Sequence, residues 1–210
     1  MSGVDRWFSL GENAAAEAAS VEAIEVLEGV PAGAALARAY RYQAALRMLD
    51  RDTDAAIDWG KRAIDLATTV GDPSVLAGAH GTVAASILLQ GRRDYVADFE
   101  RSIELAREHG LHVLHANAHG NRGSGAGELY RFDEAERYLR LSLQVAEQHD
   151  LESQASYALA WLGLTHVYQG RWDEAGAAIE CTLGRPTAPG TGACGSGRGS
   201  LVPRRPGPGG

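Results

Sequence analysis

Residues 132–151 read FDEAERYLRLSLQVAEQHDL, and relatives of this stretch recur along the chain. Placing Ile24, Ile64, Ile103, Leu143 and Leu183 under one another gives steps of 40, 39, 40 and 40 residues. Val26, Leu66, Leu105 and Val145 keep the same register, and so do Leu27, Ala67, Ala106 and Ala146 beside them. A fixed period of this size marks stacked supersecondary units, each too small to bury its apolar face alone. The expected fold is therefore all-α: a quasi-linear array in which each hairpin covers its neighbour.

Working outward, the repeat predicts nine helices. The first spans about 12–28 and has the register of a second helix, so the array opens in mid-unit. Four hairpins follow: 34–49 with 54–69, 73–90 with 94–109, 112–130 with 132–149, and 152–169 with 172–183. Proline is confined to helix boundaries until Pro186, with only Pro31 and Pro73 before it. Asp52 or Thr53 is the expected cap of the helix from 54. Gly71 sits where a left-handed C-cap belongs, and Asp72-Pro73 opens the next helix with proline at its first position. The turns 130–135 and 170–175, YRFDEA and GRWDEA, are near copies. Their acids favour the positive end of the helix dipole, and the aromatic before them is placed to staple onto the first turn.

The flanks differ. Residues 1–11 are expected to be frayed. From 185 to 210 there are eight glycines and five prolines and no apolar period, which predicts a disordered tail. The domains expected are thus 1–11, 12–184 and 185–210.

The composition excludes several functions. Net charge is −7, and the tail carries four arginines and no acid, so residues 1–184 carry −11. Such a body repels phosphate backbones, and nucleic acid is not an expected partner. The segment MSGVDRWFSL lacks the features of a signal peptide, and no segment is long and apolar enough to span a membrane. Cys181 and Cys194 lack zinc spacing and read as free thiols in a reducing cytoplasm.

No catalytic constellation emerges. His112, His115 and His119 lie at spacings of three and four, near one helix face, where imidazoles could ligate a metal. No carboxylate or cysteine stands at ligand spacing in that segment, so packing or groove positions are expected, and no metal or cofactor. The run HGNRGSGAGE, with Gly120, Gly123, Gly125 and Gly127, is no dinucleotide loop, because no strand precedes it. Register places it inside a helix, as a kink, a frayed turn or a site of close helix packing. Glu104, Glu108, Asp133, Glu134, Glu136 and Glu147 are expected on solvated faces. Trp59, Trp161, Trp172 and Tyr168 are expected in core or inter-unit packing.

The motifs Arg62-Ala63-Ile64-Asp65-Leu66-Ala67, Arg101-Ser102-Ile103-Glu104-Leu105-Ala106, Phe132-Asp133-Glu134-Ala135 and Trp172-Asp173-Glu174-Ala175 resemble tetratricopeptide repeats of the longer kind. The small-residue positions of that repeat fall on Ala45, Ala85 and Gly163. The array over 12–184 is most similar to the sensor regions of bacterial LuxR-type regulators of the maltose-activator kind. The resemblance implies a right-handed α-solenoid and a concave wall built by first helices. Arg41, His80, Asn117, His119, Asn121 and Tyr157 fall on those helices as candidate contacts. It implies a non-enzymatic interaction module holding a protein or peptide partner. The alternative is a remnant of a regulator's sensor array: no G-x-x-x-x-G-K-[ST] and no recognition-helix segment occurs, so the family's NTPase and DNA-binding domains are not expected. Exposed apolar faces on the terminal units would permit self-association.

Overall fold

The computed structural model describes residues 13–184. The expected frayed start and disordered tail lie outside the described residues. Nine helices are described: α1 (Asn13–Glu28), α2 (Ala34–Leu49), α3 (Thr53–Val70), α4 (Pro73–Leu89), α5 (Val96–Glu108), α6 (His112–Glu128), α7 (Phe132–Gln148), α8 (Glu152–Tyr168) and α9 (Trp172–Leu183). The helix limits expected from the repeat agree to within two residues, and those of α2 and α9 agree to the residue.

Local chemistry explains the boundaries. The Asp52 carboxylate accepts from the Ala55 amide, 3.2 Å away, at the start of α3. Asp72 accepts from Ser74 and Val75, both at 3.0 Å, with Pro73 at the first position of α4. These bonds satisfy amides that have no partner inside the helix. The turns need a left-handed residue, and Gly71 supplies one at φ 70°. Arg51 and Tyr130 take that conformation without glycine's freedom, at φ 64° and 57°.

Each helix packs on the next, and α2–α4, α4–α6 and α6–α8 touch as well. The second helices of successive hairpins make no comparable contact among the described residues. An array that is tighter among first helices than among second helices must curve with the first helices inside. The fold is an α-solenoid with a concave wall built from α2, α4, α6 and α8.

The repeated rows point inward except at the ends of the array, where Leu183 of α9 is 80% exposed. Ile24 is buried, and Ile64, Ile103 and Leu143 pack half-buried against the cores between hairpins. Leu105 and Val145 are buried, whereas Val26, in the same column, is 66% exposed. The difference is one of neighbours: α1 has no described helix before it. Small residues dominate the core. Ser102 and Ser142, forty positions apart, donate to the carbonyls of Ala77 (2.7 Å) and Ala116 (2.9 Å) and pin each second helix to its own first helix.

Two expectations need correction, and one left open is decided. The glycine run neither kinks nor frays α6, which is continuous from His112 to Glu128 and buried through Gly127. Of the alternatives open to it, close helix packing is the one observed. Trp172 is 68% exposed, so it is not a core residue, whereas Tyr168, 55% exposed, packs between units as expected. Phe132 is partly covered because Tyr168 of the next hairpin lies over it, with ring centroids 6.3 Å apart. Trp172 stands forty positions later, and no described hairpin follows to cover it. Trp59 and Trp161 do pack against the cores, as expected. Cys181 is not a free thiol; its sulfur is held in a disulfide.

Candidate functional site

The concave wall carries a cavity of about 450 Å³. Its lining comes from α2, α4, α6 and α8, with Ser102 and Ser142 reaching in from the second helices. Arg41, Asn117, Asn121 and Tyr157 all line it, as placed from the sequence. Gln154 joins them. Leu46, Met48, Leu49, Val113 and Leu114 supply the apolar surface. No carboxylate among the described residues lines this cavity.

Helical geometry explains who meets whom. Val113, Asn117 and Asn121 recur every four residues and so share one stripe of α6. Gly78 and Gly81 leave the floor open. A Cβ on Gly78 would come within 2.7 Å of the Arg41 Cδ and 2.8 Å of its Nη1, so the Arg41 chain lies in a notch that a larger residue would oblige it to leave. The Arg41 guanidinium carbon stands 4.5 Å from the centre of the Tyr42 ring. The Tyr157 hydroxyl is 2.9 Å from Ser124 Oγ, and burial holds its pKa above the ordinary tyrosine value. At the helix ends, Arg51 and Glu128 form a 2.8 Å ion pair that joins the second and fourth units and skips the third. Arg51 is well exposed, so this strap contributes little to stability.

Two of the six candidates face elsewhere. His80 Nδ1 is 2.7 Å from Asp98 Oδ1 on α5, inside its own hairpin. His119 is buried and lies nearly parallel to Tyr138 on α7, with centroids 6.0 Å apart. Neither lines the cavity. Both lie on the face of their helix turned to the hairpin partner. His119 is two positions from Asn117 and from Asn121, about 200° around the helix from each. Sequence reasoning placed them on the right helices and could not tell the two faces apart.

The three clustered histidines do not converge. His112 stacks on His149, with centroids 3.5 Å apart and 12° between planes. The His115 and His119 rings are 5.1 Å apart and tilted. No group of three metal-ligating side chains with metal-site geometry occurs among the described residues.

Burial, with His115 and Arg122 nearby, lowers the His119 pKa to about 4. The neutral ring is therefore the form the fold accepts. Between pH 6.5 and 4 the unfolded chain takes up a proton at this position that the folded chain refuses, so stability falls as pH falls through that window. His119→Phe is expected to flatten the decline of Tm between pH 6.5 and 4. Thermal melts of the two proteins that run parallel across this range would count against a neutral buried imidazole.

The acids expected on solvated faces divide into two kinds. Glu104 fits that expectation, paired with Arg101 at the surface. Glu134 does not. It accepts from Arg122 Nε at 3.1 Å and from the Tyr95 hydroxyl at 2.9 Å, between α5, α6 and α7. Glu136 holds Arg140 on its own helix and Arg171 at the start of the next hairpin's second helix, at 2.6 and 2.8 Å. Burial pushes the Glu136 pKa up, but the hydrogen bonds from Arg140 and Arg171 outweigh it and the net shift is downward. Both carboxylates join units together. Their sequence signal was the repeated D-E-A motif, which shows a helix start but not the arginine that arrives from another element.

No helix among the described residues is long and apolar enough to cross a membrane. No family model and no curated protein matches the chain. Among solved structures, the crystal structure of BtubC (BKLC) from P. vanneervenii is similar, with a TM-score of 0.61 at 16% identity over 90% of this chain and 82% of that one. At that identity the likeness extends to the fold: both chains are all-helical arrays of the helical-repeat kind.

Proposed function

We propose that this chain is a non-catalytic protein-interaction module of the tetratricopeptide type, and that it holds an extended peptide segment in its concave groove. The observation that carries the reading is the groove itself. Its wall offers amide side chains at Asn117, Asn121 and Gln154 beside an apolar floor, without a carboxylate or histidine for acid–base work among the described residues. Amides both donate and accept hydrogen bonds, which suits a peptide backbone, and alternating apolar surface suits its side chains. Acid–base catalysis would need two groups whose environments separate their pKa values within one cleft. The R-[SA]-I-[ED]-L-A and [FW]-D-E-A motifs support the repeat type. The acidic body and the placement of arginines in ion pairs support a protein partner over nucleic acid.

Selection of a random peptide library on the full chain tests this. The expected outcome is a set of binders in the micromolar range that Asn117→Ala/Asn121→Ala weakens about tenfold or more. Asn117 is exposed and Asn121 half-buried, so the double variant should keep its melting temperature. Binders that ignore the double variant and crosslink only to the outer helices would overturn the proposal. Retention of a small organic effector in the groove, with no peptide recovered, would favour the alternative of a regulator's sensor array.

A further inference from the structure

Arg41 differs from the other shielded arginines of the described residues. Arg47 pairs with Glu17, Arg122 with Glu134 and Arg171 with Glu136, and Arg131 donates to the Tyr95 hydroxyl. Arg47 Nε is likewise buried without an acceptor, but its guanidinium is ion-paired with Glu17 and Asp50, whereas Arg41, half-buried on α2 with its own Nε buried, has neither an ion pair nor a hydrogen-bond acceptor among the described residues. An arginine nitrogen removed from water with nothing to donate to carries a desolvation cost that a ligand can repay. The side chain has a defined seat. Gly78 provides the notch for its stem, and the Tyr42 ring lies 4.5 Å from its charged carbon.

The rest of the groove completes the specification. Among the described residues Arg41 is the one charged side chain in the lining, and no carboxylate there competes for it. The remaining polar side chains of the lining are uncharged hydroxyls and amides, and the amides Asn117, Asn121 and Gln154 lie across the groove on α6 and α8. We infer that the groove takes an extended peptide carrying one acidic side chain, whose carboxylate is bound by Arg41 while the backbone beyond it runs along Asn117 and Asn121. A guanidinium matches a carboxylate through two parallel N–H···O bonds. One acid is expected and not a cluster. The body around the groove is strongly acidic, so each further negative charge on the ligand meets repulsion and finds no second cation in the lining.

This inference rests on the peptide-groove reading, and the test separates the two. Random peptide libraries are selected in parallel on the full-length wild type, Arg41→Gln and Arg41→Glu. Wild type is expected to enrich Asp or Glu at one fixed position of the recovered peptides. Arg41→Gln should lose that enrichment, and Arg41→Glu should replace it with Lys or Arg at the same position. For one recovered peptide, changing its acid to the amide should weaken binding to wild type at least tenfold and leave binding to Arg41→Gln unaltered. Arg41 has no ion pair to lose, so both variants should melt close to wild type, and circular dichroism checks this. If peptides depend on Asn117 and Asn121 but show no acidic position, the assignment to Arg41 fails and the groove reading stands. If no recovered peptide depends on any groove residue, both fail. Enrichment of an acid that persists unaltered in Arg41→Glu also overturns the assignment.

Discussion

Glu134→Leu is expected to destabilise the fold by about 3 kcal/mol, because it leaves the Arg122 guanidinium shielded and without its carboxylate. The Arg122 side chain is only 11% exposed and Glu134 23% exposed. Arg122 also lies 3.9 Å from the centre of the Tyr138 ring and 5.4 Å from that of Tyr95. Tyr95 OH donates to the same carboxylate, and burial followed by that bond raises the Tyr95 pKa. One carboxylate on α7 thus holds side chains from α6 and from the residue that caps α5. Arg122→Met should lose a comparable amount. The double variant, which removes both charges and keeps the volume apolar, should lose much less than the sum, because neither charge is left stranded. Urea melts of the four proteins measure this. Single losses below about 1 kcal/mol, or strict additivity, would show that the pair behaves like an exposed one.

Gly123→Ala, which introduces a single methyl group, is expected to lower stability by about 2 kcal/mol and Tm by roughly 4–8 °C. Ordinary helix propensity argues the opposite sign, since alanine in a helix interior gains about 1 kcal/mol over glycine. Packing decides. A Cβ at Gly123 would lie 2.6 Å from Leu139 Cγ and 2.9 Å from the Leu139 backbone nitrogen. The side chain could rotate away, but the backbone of α7 cannot move without separating the hairpin. Gly125 meets only the Leu88 side chain, at 2.8 Å, and should tolerate alanine better. Gly176 on α9 has open space around it, and there alanine should raise Tm by roughly 2–4 °C. Differential scanning calorimetry of the three variants checks the ranking. A Gly123→Ala protein that melts at or above wild type would mean that α6 and α7 are not in such close contact.

These two expectations also show what could be read before the coordinates. The glycine run lay inside a helix by register, and that much held. Its purpose was invisible, because backbone contact between α6 and α7 is a property of the pair of helices and not of either sequence. The D-E-A motif correctly placed the start of α7. It gave no sign that Glu134 turns inward, since Arg122 is twelve residues earlier on another helix.

The candidate groove divides along the same line. Asn117 and Asn121 differ from His119 by two positions, and periodicity places all three on one helix. Which stripe faces the groove depends on how α6 rolls against α7 and α8. Arg41 was placed on a first helix from the repeat register, but its lack of a partner among the described residues appears only once their carboxylates have positions.

The amino-acid sequence by itself determined the helices, their ends and the step of about forty residues, because apolar period, left-handed glycines and aspartate caps act within a few residues of one another. Tertiary structure alone decided which face of each first helix opens to the groove, which acids are shared between hairpins and where two backbones touch. Those outcomes depend on distances between residues far apart in the chain, set by how the hairpins stack.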